Sequence, residues 1–151
     1  MVSSALSHLA NGPTAGGFSF AAEPGSAPAL LVAVGGDYQQ PDSTASTASS
    51  CRWNEDGLSS TYRCEAAATP PHGYRSSVAY DPQQKLWITV GPNGTDISTD
   101  DGKNWQALKP NPQDPPDADK NWNALSLPYV VGPKGRIGKL RPINLNDTKT
   151  H

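Results

Sequence analysis

Long apolar runs are missing from this chain. No stretch approaches the ~20 consecutive apolar residues that a membrane-crossing helix needs. Met1 to Gly12 has neither the basic start nor the apolar core of a secretory signal. A surplus of one charge is missing too: 12 Lys and Arg stand against 14 Asp and Glu, a net charge of -2, with 17% charged residues. That balance excludes the polybasic surface that nucleic acid or an anionic membrane selects, and equally an acidic tail. No Gly-x-Gly-x-x-Gly or phosphate loop is present, so nothing supports nucleotide binding and no cofactor is expected; no amphipathic helical period is visible either. Cysteine is scarce. Cys51 and Cys64 have no second pair to complete a metal site, and His8, His72 and His151 are scattered. Two readings of the cysteines stand ahead of a metal: a disulfide closing a hairpin-sized loop, worth roughly 3 kcal/mol, or two separate buried thiols. A disulfide would argue for an exported protein.

What the chain does have is punctuation. Its 14 Gly and 15 Pro, set against a hydrophobic fraction of 35%, predict short strands joined by turns. Residues 1–17 carry no period and read as loop. Phe18 to Ala22 is a short apolar run, and Ala29 to Val34 is a buried strand that ends at Gly35-Gly36-Asp37-Tyr38. Gln39 to Ser50, rich in Ser, Thr, Ala and Pro, reads as a surface loop. Then come four strands, Tyr74–Tyr80, Leu86–Val90, Thr95–Thr99 and Asn104–Leu108, separated by Asp-Pro, Gly-Pro-Asn-Gly and Asp-Asp-Gly turns. Four short antiparallel strands in about 35 residues is the size of one β-propeller blade. Lys109 to Lys120 is a Pro- and Asp-rich boundary, and Trp122–Leu127, Tyr129–Val131 and Arg136–Leu140 begin a further unit. Val34-Gly35-Gly36, Val90-Gly91-Pro92 and Val131-Gly132-Pro133 each end a hydrophobic strand. The expectation is an all-β chain, a partial propeller of about three four-stranded antiparallel blades. Its divisions are a loop at 1–16, a degenerate blade at 17–68, a complete blade at 69–110, a linker at 111–121, the start of a last blade at 122–142 and a tail at 143–151.

The sharpest motif is Ser98-x-Asp100-x-Gly102-x-x-Trp105. Gly102 takes the conformation other residues resist, Asp100 accepts from turn amides, Ser98 adds a hydroxyl contact and Trp105 folds over the hairpin. Adjacent Asp100 and Asp101 on a tight turn cannot flank one substrate bond, so they are not read as a catalytic pair. The motif resembles the Asp-box repeat of bacterial neuraminidases. The runs His72–Asp81 and Trp87–Ser98, with Val34–Tyr38 and Trp122–Ile137, are similar to secreted bacterial propellers labelled oxidoreductase or glycosyl hydrolase, and to photosystem II assembly and stability factors. The match covers roughly residues 17 to 140. It implies a structural role for the box on the rim, a chain near half the family's length, and an export signal upstream with a periplasmic or extracellular destination. By position Asn54-Glu55-Asp56-Gly57 should be a second box, but it lacks the Ser/Thr and the Trp.

If the chain is a propeller, ligands enter at the central channel, which nominates His72, Tyr74, Arg75, Trp122 and Asn123. Arg75 would suit a carboxylate. The plainer alternative is that Tyr74 packs, Arg75 pairs with a neighbouring blade and His72 is a turn residue. No arginine cluster, Tyr/Glu pair or separate acid accompanies them, and sialidase chemistry needs those together. Three functions stay open: a non-enzymatic scaffold binding a protein or peptide partner ahead of carbohydrate, a sialidase-like glycoside hydrolase whose groups lie mostly in an absent half, and a truncated product. An incomplete ring would also self-associate. On the disulfide reading of Cys51 and Cys64, intact mass falls by the two hydrogens lost on oxidation and native protein resists alkylation. Labelling of both thiols in material from an oxidising compartment would exclude it.

Overall fold

The computed structural model describes residues 9–56 and 59–147. Its described part holds eleven strands and no α-helix. β1 (Ala15–Ala22), β2 (Leu30–Asp37), β3 (Ala48–Asp56) and β4 (Ser59–Ala66) form a first antiparallel sheet in simple chain order. β5 (Ser77–Asp81), β6 (Leu86–Val90), β7 (Thr95–Ser98) and β8 (Gln106–Ala107) form a second in the same order. β9 (Ala124–Ser126), β10 (Tyr129–Val131) and β11 (Ile137–Lys139) form a third, of three strands.

The alternation of side chains explains how the sheets stack. Residues paired directly across an antiparallel ladder share a face. In β6 every residue is buried. Trp87 joins Leu30, Val32 and Val34 of the first sheet in one core, with Val78 and Trp105. Leu86 and Ile88 pack instead with Leu125 of the third sheet and with Leu127, Leu140 and Ile143, and Val90 packs with Trp122 and Val130. The second sheet is therefore covered on both faces, and an uninterrupted apolar run such as Leu-Trp-Ile-Thr-Val is what a doubly covered strand requires. The first strands of the three sheets lie side by side, β1 against β5 and β5 against β9.

The repeated Val-Gly step has a steric cause. A Cβ on Gly35 would collide with the Gly16 carbonyl, one on Gly91 with the Tyr74 carbonyl, and one on Gly132 with the Asn121 carbonyl. In each sheet the chain beginning or entering the first strand crosses the end of the second at backbone contact. The same crossing is tied from sheet to sheet: the Arg75 amide donates to the Gly35 carbonyl at 2.9 Å, and the Trp122 amide to the Gly91 carbonyl at 3.4 Å.

Two expectations change. The first strand begins at Ala15, inside the segment read as loop, because Ala15, Gly16 and Gly17 pair with Asp37, Gly36 and Gly35. The Ser/Thr-rich stretch is not all surface: Thr47, Ala48 and Ser49 are fully buried, and Thr47 satisfies its hydroxyl on the Thr44 and Pro71 carbonyls. Small side chains fit a buried strand that long apolar ones would overfill. The linker is pinned to both neighbouring sheets, since Thr95 donates to the Asp119 carbonyl and Trp122 Nε1 to the Ala118 carbonyl. Cys51 and Cys64 face one another in register on β3 and β4 and are joined, with the sulfurs 2.19 Å apart. The turn of the expected second box, at Gly57, lies outside the described residues.

Candidate functional site

Polar groups concentrate at one end of the first two sheets, where the β2–β3 loop, the segment entering β5 and the β6–β7 turn meet. Asp96, on β7, is fully buried among them. Its neighbours on the strand, Thr95 and Ile97, are buried too, so only an equally buried counter-charge makes the position tolerable. Arg75 supplies it. Arg75 Nε donates to Asp96 Oδ2 at 2.8 Å, its NH2 makes a shorter contact with the same oxygen, and the guanidinium is fully buried. The remaining Arg75 donors go to the Tyr74 carbonyl at 2.8 Å and to Asn93 Oδ1 at 2.6 Å.

His72 takes the other Asp96 oxygen. Its Nδ1 lies 2.7 Å from Oδ1, and because an ionised carboxylate only accepts, Nδ1 carries the proton. The His72 ring stays about one-third exposed, at 38%. Asn93 locks the loops together: its Nδ2 donates to the Pro41 carbonyl, to Asp42 Oδ1 and to the His72 carbonyl. Gly73, at φ +151°, is where the segment squeezes past Pro41 and Asn93.

Five residues were nominated for a channel, and the structure separates them. Arg75 is fully buried and cannot offer its charge to a ligand; its carboxylate partner is Asp96 of its own sheet, not a neighbouring one, and only its backbone reaches the first sheet. Trp122 is buried as well, capped by the Arg136 guanidinium 4.2 Å from its ring centroid. His72, Tyr74 and Asn123 keep accessible surface. Tyr74 stands edge-on to Phe18 with ring centroids 5.1 Å apart, and Phe18 edge-on to Tyr38 at 6.2 Å. Partial burial raises the Tyr74 phenol above its ordinary value. Sequence reasoning missed Asp96, Asn93 and this aromatic row. An Asp inside the short expected strand Thr95–Thr99 was the available signal for the first.

At the far end of β7 the Ser98–Trp105 turn is built from side chains. Ser98 Oγ donates to Asp100 Oδ1 at 2.9 Å and accepts from the Gly102 amide at 3.0 Å. Asp100 accepts from the Asn104 amide at 2.9 Å and from Asn104 Nδ2 at 2.7 Å. Asp100 thus accepts a turn amide, that of Asn104, and the Ser98 hydroxyl takes the Gly102 amide. Gly102 sits at φ +77° against Val32, and buried Trp105 donates from Nε1 to its carbonyl at 3.0 Å. Burial pushes the Asp100 carboxyl up. The bonds from Asn104 and Ser98 and the charge of Lys103 outweigh that and hold it below the usual carboxylate value.

No protein-family model, curated protein or solved structure matches this chain. The chemistry must therefore be read from the groups themselves. Among the described residues no three His, Cys, Asp or Glu converge as a metal site. Ser98 and Asp100 bond within their own turn, and Asp96 spends its oxygens on Arg75 and His72. These arrangements hold loops in place; they set no nucleophile beside a base.

Two outcomes follow. Asp96→Ala should destabilise the fold by about 3–5 kcal/mol because it strands a buried guanidinium, and Arg75→Met combined with it should cost less than the two single changes added. Chemical denaturation of the four proteins measures this; strict additivity would show that the pair is not coupled. Asp100→Ala should cost about 1–3 kcal/mol at neutral pH. Because the folded carboxyl is held low, its contribution is present above the unfolded value and lost as pH falls through the folded one. The gap between wild type and variant should narrow from pH 7 to pH 3, and a constant gap would exclude the ionised role.

Proposed function

We propose that this chain is part of an Asp-box β-propeller and serves as a non-enzymatic scaffold for a protein or peptide partner. The observation that carries the reading is the one-way stacking of its sheets. Leu30, Val32 and Val34 correspond in position to Leu86, Ile88 and Val90, each set followed by glycine, and each set packs onto the next sheet along the chain. The matching face of the third sheet carries Tyr129, Val131 and Ile137, at 50%, 41% and 71% exposure. The opposite face of the first sheet carries Phe20, the Cys51–Cys64 link and the Trp53–Tyr62 pair, with Phe20 at 64% exposure. One uncovered face is of the type that packs onto a sheet, and the other of the type that receives one. Further blades in the ring would cover both.

The neighbouring first strands, the glycine crossings and the Ser98–Trp105 turn support the same reading, and the joined cysteines favour an oxidising, exported setting. The accessible His72, Asn123 and aromatic row at one end form the surface for a partner. Among the described residues no group is placed for glycosyl transfer, so the scaffold stands ahead of the hydrolase. Uncovered faces of complementary type pair head to tail. The isolated chain should sediment as concentration-dependent oligomers, and Val131→Lys should shift it toward monomer. A monomer at every concentration, with amides uniformly protected in all three sheets, would overturn the propeller reading. Hydrolysis of an aryl sialoside that disappears in His72→Ala would overturn the scaffold.

A further inference from the structure

We infer that the outer edge of β11 is a docking strip for an extended, acidic peptide, which pairs with it as the fourth strand of the third sheet. Two sheets have four strands and the third has three. The ladder phase fixes which groups the edge presents. Gly132 donates to the Arg136 carbonyl and Leu140 to the Pro128 carbonyl, so Gly138 turns its backbone groups toward Val130, and Ile137 and Lys139 turn theirs away. Those outward N–H and C=O groups have no partner among the described residues. Among the described residues none pairs with that edge. Pro142 follows β11, and the tail runs to the β5–β6 turn, where Ile143 and Gln84 exchange two hydrogen bonds.

Beside that edge lies a cleft of about 640 Å³, lined by Leu108, Pro110, Trp122, Gly138 and Leu140 among others. An added strand would send alternate side chains into it, as β-augmentation requires. Charge selects the kind of strand. Arg136 pairs with Asp117 and Arg141 with Asp114, whereas Lys109 and Lys139, also on the lining, have no ion pair among the described residues. A lysine on an open edge discourages indiscriminate strand pairing. It also offers a counter-charge to a carboxylate on the incoming strand. Apolar residues toward the cleft and Glu or Asp along the rim describe the partner.

This inference rests on the scaffold reading and names what it binds. The probe is the peptide acetyl-Thr-Val-Glu-Val-Glu-Thr-amide, titrated into the isotope-labelled full chain and followed by NMR and amide exchange. Saturable shifts should centre on Ile137, Lys139 and Lys109, with exchange slowed at Ile137 and Lys139. N-methylation of alternate peptide nitrogens should abolish binding. Lys139→Glu, an exposed change, should weaken it about twofold to fivefold and favour a peptide with Lys in place of Glu. Absence of saturable binding, perturbations centred on another surface, or equal binding of the N-methylated peptide would each overturn the inference. Sedimentation of the free chain judges the propeller separately, so oligomers that ignore the peptide would sink this strip and spare that reading.

Discussion

Everything in this chain depends on the second sheet having no free face. Leu86 to Val90 sends alternate side chains to opposite neighbours, and all five are buried. Burying a large apolar side chain is worth about 1.5–3 kcal/mol. A sheet of strands two to five residues long cannot supply that within itself. Losing either neighbour would expose half of β6 to water, with Trp87 and Trp105 on one side or Ile88 and Ile97 on the other. The sheets are thus cooperative partners rather than independent units.

Stacking at that distance makes its own demand, and glycine meets it. The chain leaving one sheet must cross the end of the next sheet's second strand at backbone contact, and no Cβ fits under the crossing carbonyl. Once the backbone is fixed, the crossing residue is free to vary. Arg75 and Trp122 donate the same inter-sheet hydrogen bond, yet one carries a guanidinium into a buried ion pair and the other an indole into an apolar core. Equivalent positions in this architecture share geometry without sharing chemistry.

That division explains what was legible beforehand. Strand β6, the Asp-Gly turn, the glycine steps and the meander order could be read, because each follows from local pattern or local sterics. β10 was placed at its observed bounds for the same reason. Buried Thr47 and the Ala48–Ser49 start of β3 were not, because small residues look the same in a loop and in a tightly filled strand. The partners of Arg75 were not, because Asp96 lies 21 residues away and only the tertiary fold brings it near. Exposure misled in the same way: Arg75 and Trp122 carry chemistry that suits ligands, but their positions under the crossing bury them.

The His72–Asp96 pair invites a catalytic reading, since a buried carboxylate orienting a partly exposed imidazole is how a general base is held. The hydrogen-bond inventory argues otherwise. In a working triad the carboxylate's charge stands unopposed, so it can stabilise the imidazolium that forms. Here Arg75 donates twice to the same carboxylate, and the His72 amide approaches its Oδ2 at 3.4 Å. The guanidinium is thus a buried counter-charge on the same carboxylate that His72 contacts. What remains is orientation: the carboxylate fixes the ring, the ring and its backbone fix the loop entering β5, and Asn93 ties that loop to Pro41 and Asp42 of the sheet before it. Breaking such a cluster would release the loop and the inter-sheet crossing beside it, so the cluster anchors the accessible end of the molecule.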